Sequence, residues 1–324
     1  MLDTEDPSSS YLGMTAPSDQ QLGFAPDDDA PIPYMARTRD YYQAIGYPTP
    51  YRWAHHIDAP FQPLIKPLNR SRLAIITTAA PFDPARGDQG PGARYNGGAK
   101  FYSVYDGDSS KTHDLRISHV AYDRAHTSAE DSGTWFPLPQ LKKLAREGRI
   151  GDVAPRFFGA PTNRSHRVTI ETDAPEILAR CRADDVDAAV LVPNCPVCHQ
   201  TVGLVARHLE AGGISTVVMG CAKDIVEHAA VSRFLFSDFP LGNSAGKPHD
   251  PASQAFTLEL ALRVLETAPG PQTTVQSPLR WSADASWKRD YNNVAMLSAE
   301  ELARRRREFD AQKEIARGLR ESAA

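Results

Sequence analysis

The stretch Asp187-Ala-Ala-Val-Leu-Val-Pro-Asn-Cys195-Pro-Val-Cys198-His-Gln-Thr-Val-Gly-Leu-Val-Ala-Arg-His-Leu-Glu-Ala-Gly-Gly213 decides the fold, because a buried-strand signal, a two-cysteine motif and a helix follow one another in it without a break. The run 188–192 is short and continuously apolar, which is how a strand covered on both faces of a parallel sheet reads. From Thr201 the period lengthens. Val202, Val205 and Leu209 fall on one helical stripe, and Gly212-Gly213 supplies the stop. Cys195 therefore sits at a strand-to-helix turn. Pro196 suits the first helical position, where a missing N–H costs nothing, so Cys195 is expected near the N-cap and Cys198 within the first turn. Both sulfurs then face the same way. Free N–H groups and the positive end of the helix dipole stabilise a thiolate there, and the spacing lets the second thiol close a disulfide on the first.

A C-x-x-C can also be half of a zinc site, but Cys181 and Cys221 stand alone and no second pair or His-rich partner segment follows. No metal is assigned on this pattern. Cys181 falls on the inward face of an expected helix, 173–185, and reads as core packing.

With 324 residues the chain can hold one large or two small domains. A formal net charge of −4, with acids and bases mixed, gives no reason to expect nucleic acid. Four cysteines in a chain this long do not make a disulfide framework, so a reducing compartment is expected. No apolar run approaches the roughly 20 residues that cross a bilayer. The acidic start lacks a signal-peptide pattern, and the chain reads as a cytoplasmic protein.

Three regions are expected. Residues 1–65 form an irregular extension rich in Pro and Asp, disordered over its first thirty residues and aromatic in its second half. Residues 66–285 form an α/β domain, and residues 286–324 a helical tail. The domain opens with an apolar strand at 71–79, followed by a long polar, Gly-rich loop at 81–100 that does not match a dinucleotide fingerprint. Next come a strand at 116–123, a helix at 139–148, a strand and turn at 150–159, and the helix at 173–185. After the central unit, strands at 215–220 and 233–236 alternate with helices, the last at 251–268. This alternation predicts a doubly wound, mostly parallel sheet with helices on both faces. Ligands in such sheets bind outside the carboxyl ends of the strands. His119, Tyr122, Asp123, Cys195, Cys221 and the 242–248 loop all fall at expected strand ends and group into one candidate site. In the tail, Ser298-Ala-Glu-Glu301 matches a capping box. The Arg304 to Arg307 run is interleaved with acids, which points to a solvated helix docked on the body or on a second subunit.

Over about residues 60–281 the chain resembles the selenoprotein subunits of D-proline reductase and, more distantly, of glycine, sarcosine and betaine reductases. The likeness runs in order through the opening strand, Ser118-His119 with Tyr122-Asp123, the run Leu144-Ala-Arg-Glu-Gly-Arg-Ile-Gly-Asp-Val-Ala-Pro155, the Cys195 turn with its helix, and Leu241-Gly242-Asn243-Ser-Ala245-Gly246-Lys-Pro248. In that family selenocysteine stands where Cys195 stands here, spaced as Sec-x-x-Cys. The resemblance implies a nucleophile that attacks a substrate carbon, breaks a C–N bond reductively and is regenerated through a bond to the second sulfur. Cys195 would then be the nucleophile, Cys198 the resolving thiol, and His119 and Asp123 proton donors or substrate-binding groups. The chain departs from the family in its thiol, which needs a lowered pKa to compensate, in its extension and tail helix, and in the absence from this chain of the pyruvoyl-bearing subunit on which the proline enzyme depends.

The first expectation is therefore a thiol-dependent reductase acting on a small, anionic, amino-acid-like substrate. It needs no bound cofactor and is reset by an external dithiol or a thioredoxin-like redox partner. Backbone N–H groups at the Cys195 helix and in the Gly242, Asn243, Gly246 loop would hold a carboxylate beside Tyr122. Two alternatives stay open. One is non-redox isomerase or lyase chemistry with Cys195 and Cys221 as acid and base. The other is a metal-binding or non-catalytic subunit of a larger complex, with His199 or His119 joining the pair, although His199 reads better as a first-turn surface residue. The aromatic extension and tail helix also suggest a homo-oligomer.

Overall fold

A computed structural model describes residues 29–47, 49–90, 93, 95–162 and 165–322. The chain divides into two compact units, Met1–Ala30 and Pro31–Ala324. All but Asp29 and Ala30 of the first unit, including the segment expected to be disordered, lie outside the described residues.

In the second unit the strands are β1 Arg72–Thr77, β2 Ala80–Pro81, β3 Tyr105–Asp108, β4 Leu115–Arg116, β5 Asp152–Val153, β6 Arg156–Gly159, β7 Ala188–Val192, β8 Ser215–Gly220, β9 Arg233–Phe236 and β10 Thr273–Gln276. The main helices are α1 Tyr34–Ala44, α2 Leu138–Arg146, α3 Ala174–Ala183, α4 Pro196–Ala211, α5 Lys223–Ala229, α6 Pro251–Thr267 and α7 Ala299–Ser322. The sheet order is β10-β9-β8-β7-β1-β6-β3, with β5 beside the start of β1. Every pairing in it is parallel except β3 against β6. The α/β reading holds.

Side chains alternate across the sheet and build a core on each face. Leu73, Ile75, Val190, Val217 and Leu235 pack with residues of α2 and α6. Ala74, Ile76, Leu191, Val218 and Phe236 pack with α3, α4 and α5. β1 leads through α2 toward β6 on one side, whereas β7 leads through α4 to β8 on the other, so the strand order reverses between β1 and β7. The crevice outside the carboxyl ends of these two strands is the topological switch point where such folds place ligands. Cys195 follows β7 directly into that crevice.

Three expectations need correction. The strand at 116–123 pairs only over β4, against β2. Beyond it, groups outside any ladder take the backbone: the Arg124 guanidinium holds the His119 carbonyl, Tyr291 Oη donates to Ala121 O, and Asp123 N–H donates to Leu241 O. The segment 34–44, expected to be irregular, forms α1, and Asp224 Oδ2 accepts the N–H of Met35 in its first turn. Finally, α4 is buried on almost every side over residues 196–206 instead of along one stripe. The segment around residues 54–62 covers its outer face, with Gln200 Oε1 accepting from Ala54 N–H at 2.7 Å and Arg207 bonded to Asp58.

The tail follows its sequence pattern. Ser298 Oγ accepts the Glu301 N–H at 3.1 Å, Arg304 and Arg305 pair with Glu301, and Arg306 pairs with Asp310. Phe309 is buried against the rings of Tyr42, Tyr47 and Tyr95, which docks α7 on the body. No helix among the described residues is long and apolar enough to cross a membrane.

Candidate active site

Cys195 is the N-cap of α4, with Pro196 at the first helical position. Its Sγ accepts the Cys198 N–H at 3.3 Å and touches Cys198 Sγ at 2.7 Å. Both cysteines are reduced and buried, Cys195 at 4% exposure and Cys198 at 0%. Cys195 lines a narrow constriction of about 30 Å³ together with His119 and Thr162, whereas Cys198 lies behind it. Burial alone would push the Cys198 thiol up. Hydrogen bonds with Cys195, His119 and Thr162 and the charge of the His119 imidazole outweigh it and hold Cys198 well below the ordinary thiol range.

A ring nitrogen of His119, Cys195 Sγ and Cys198 Sγ lie within 4.8 Å of one another, and these are the residues that could hold a soft metal ion. A tetrahedral zinc with Zn–S near 2.3 Å keeps two sulfurs about 3.8 Å apart, farther than this pair stands, so sulfur–sulfur chemistry fits the geometry better.

His199 is a correction. It is fully buried, not on the surface. Its Nδ1 donates to Cys195 O at 2.7 Å and its Nε2 accepts the Cys221 N–H at 2.9 Å, so both ring nitrogens are spent tying the start of α4 to the end of β8. Burial drives its pKa from 6.5 down to about 4. Because the folded value is depressed, the stability it supplies is present above pH 6.5 and is lost as pH falls toward 4. Between pH 7.5 and 5 that loss amounts to about 2 kcal/mol. Urea midpoints at the two pH values should show this loss in the wild type and a smaller one in His199→Gln. Equal losses in both proteins would assign the acid sensitivity elsewhere.

The remaining candidates fall into two groups. Tyr122 lines a large cavity in front of the pair, and Asp123 lines the same cavity but directs both carboxylate oxygens at His126 Nδ1, each at 3.0 Å. Gly242, Asn243 and Gly246 serve the framework. Gly242, at φ +110°, leaves no room for a Cβ beside the Tyr122 ring, and Asn243 bonds Pro240 and Thr127 through its side chain. Gly246, at φ +130°, abuts the Gln254 backbone. The N–H groups of Asn243, Ala245 and Gly246 donate to Pro240, Thr134 and Asn243 carbonyls, so those three are not available to a carboxylate as expected. Cys221 is fully buried near Ser244, with its pKa pushed up to about 12 by burial, and Cys181 lies in the core with the same shift, as expected of packing.

Sequence reasoning missed a set of polar groups at the strand ends. Thr78, Asn194 and Ser237 follow β1, β7 and β9, are 0% exposed, and carry side-chain polar atoms with no protein partner among the described residues, as does His119 Nδ1. Each orphaned group costs about 1–3 kcal/mol, and a polar ligand in the crevice is the kind of partner that would satisfy it. The sequence signal was a polar residue at the close of each apolar run.

Residues 43–194 match the family of glycine/sarcosine/betaine reductase selenoprotein B, a match that stops one residue before Cys195. The chain is 27% identical over 223 residues to the D-proline reductase subunit gamma of Acetoanaerobium sticklandii, covering 68% of this chain and 89% of that one. It is 24% identical over 238 residues to the glycine reductase complex component B subunit gamma of Symbiobacterium thermophilum, 71% of this chain but 54% of that one. A sarcosine reductase complex component B subunit beta of Peptoclostridium acidaminophilum is 26% identical over 193 residues, 57% of this chain and 43% of that one. The chain thus spans about half the length of its glycine and sarcosine reductase relatives. No solved structure matches it. The chain is similar to the selenoprotein B components of glycine, sarcosine and betaine reductases and to the gamma subunit of D-proline reductase.

Proposed function

We propose that the chain is a thiol-dependent reductase component for a small anionic substrate of amino-acid size, with Cys195 as nucleophile and Cys198 as resolving thiol. The observation that carries this reading is the pair itself: two touching sulfurs at the start of α4, with Cys195 toward the cavity and Cys198 behind it against His119. The relatives named above are components of reductases for D-proline, glycine and sarcosine, which supports substrates of that size.

The steps follow from the arrangement. Cys195 gives its proton to the Cys198 thiolate and attacks an activated carbon, forming an S–C bond while the leaving group departs with the bonding electrons and the proton of the His119 imidazolium, which becomes neutral. Cys198, its proton taken up by His119, attacks Cys195 sulfur. An S–S bond forms, the S–C electron pair stays on carbon, and carbon takes the proton from His119. The substrate gains two electrons and the pair becomes a disulfide, which an external dithiol or thioredoxin-like protein reduces. A reducing compartment, the cytoplasm, suits this cycle. As in the relatives, whose names mark them as subunits, further chains belong to the working assembly.

The test is thiol alkylation of the purified protein across pH, with and without reductant, read by peptide mass. Cys195 should alkylate with an apparent pKa well below the roughly 8.5 of a free thiol, and a Cys195–Cys198 disulfide should form and reverse. Resistance of both cysteines until a chelator is added would replace this reading with a metal site on His119, Cys195 and Cys198.

A further inference from the structure

The constriction at Cys195 shares Thr38, Tyr42, Tyr95, Val120 and Ala121 as walls with a cavity of about 730 Å³. Residues 120–125, the 290–297 segment, α1 and α7 enclose that cavity. Its charged side chains can be accounted for one by one. Asp123 and Asp290 both bond His126. Arg304 bonds Glu301 and Glu308, and Arg305 bonds Glu301. Arg124 is different. Its Nε donates to Ala93 O and its Nη1 to His119 O, both at 2.7 Å, with a longer contact to Tyr122 O. Among the described residues it has no carboxylate partner, and no hydrogen bond is made by its Nη2.

A largely buried guanidinium that is held by carbonyls and lies over the Tyr122 ring, 5.4 Å from its centre, keeps its charge and a fixed plane, which is the state that a carboxylate binds best. Burial works against this charge, and Tyr122, Tyr291 and Cys195 are the groups that favour it, so the Cys195 sulfur lies within electrostatic reach of the guanidinium. The carbonyl that fixes Nη1 belongs to His119, the residue beside Cys198, so the cation and the sulfur pair are positioned by one loop.

We propose that Arg124 is the anion anchor of this cavity: it binds the carboxylate of a small molecule whose neighbouring carbon is presented to Cys195. The inference rests on the thiol reading above and adds the residue that selects the substrate by charge.

Two alkylators that differ only in charge test it without knowledge of the substrate. Iodoacetate and iodoacetamide both form an S–C bond at Cys195 as the C–I bond breaks and iodide leaves, but only iodoacetate carries a carboxylate. In the wild type Cys195 should react faster with iodoacetate than its free-thiol ratio allows, and millimolar acetate should slow that reaction alone. Arg124→Ala should lower the iodoacetate rate about tenfold to a hundredfold while leaving the iodoacetamide rate within about threefold. Arg124→Lys keeps the charge and should fall between. An unchanged ratio in both variants overturns the proposal while the thiol reading stands. Loss of both rates in both variants also overturns it, because Arg124 then merely supports the His119 loop. A wild-type Cys195 inert to both reagents brings down the thiol reading, and the anchor with it.

Discussion

Cys195→Ser is expected to abolish reductive turnover of any substrate of this site, a fall of at least about a thousandfold, because a serine hydroxyl does not ionise at neutral pH and cannot form the sulfur–sulfur bond through which the pair gives two electrons to the substrate. Cys198→Ser has a different signature. Cys195 remains on the cavity side as the α4 N-cap, so the first attack survives. The adduct then has no second sulfur to release it and should accumulate as one equivalent bound to Cys195, visible as an added mass on that peptide. The comparison assigns the two roles, since both single variants remove the same disulfide but only one leaves a covalent intermediate. Turnover by Cys195→Ser within tenfold of the wild type, with dithiothreitol as reductant, would exclude nucleophilic action by this residue. Stoichiometric adduct on Cys198 in Cys195→Ser would exchange the roles.

Glu210→Gln is expected to cost about 3–5 kcal/mol of stability, the usual result of stranding one member of a buried ion pair. Glu210 and Arg233 meet at 2.8 Å with side chains 0% and 2% exposed. The carboxylate also accepts from the N–H groups of Gln62 and Thr216 and from the Thr216 hydroxyl, at 2.5 to 2.7 Å. Arg233 donates to Gln62 O at 2.9 Å and lies 4.1 Å from the centre of the Phe61 ring. Burial pushes Glu210 up and Arg233 down, so the pair survives on its hydrogen bonds and its mutual charge. Arg233→Met alone should cost a similar amount, and the double variant should regain much of the loss because no stranded charge remains. Guanidinium midpoints at pH 7 measure all three. A cost below about 1 kcal/mol for Glu210→Gln would show that the pair is not what fixes this corner. The consequence reaches the site. The pair clips residues 61–62 to the end of α4, and the same covering segment carries Tyr51 and Trp53, which pack against Cys195 and Val197.

How legible the site was depended on the reach of each interaction. The Cys195 cap, its N–H contact to Cys198 and the Ser298 cap span three residues or fewer, and local spacing determined all of them. The fixing of His199 was not legible, because its second partner lies 22 residues away across β8. Asp123 was placed in the crevice by its position at a strand end, yet its carboxylate turns to His126 three residues on, a choice made by the loop geometry. Arg124 was invisible for the same reason: its partners are carbonyls, which every residue carries and no sequence pattern marks.

By itself the sequence determined that this is an α/β chain with a cysteine pair at a strand-to-helix turn. Apolar runs of strand length, helical periods and capping residues are local codes, and a sheet buried on both faces has to be written in them. Only the tertiary structure decided that the strand order reverses beside Cys195, that His119 stands against Cys198, and that α1 and α7 close a cavity over the Arg124 guanidinium. These are meetings of segments tens to hundreds of residues apart. They are settled by which faces bury against one another and by which polar groups that burial leaves without a partner.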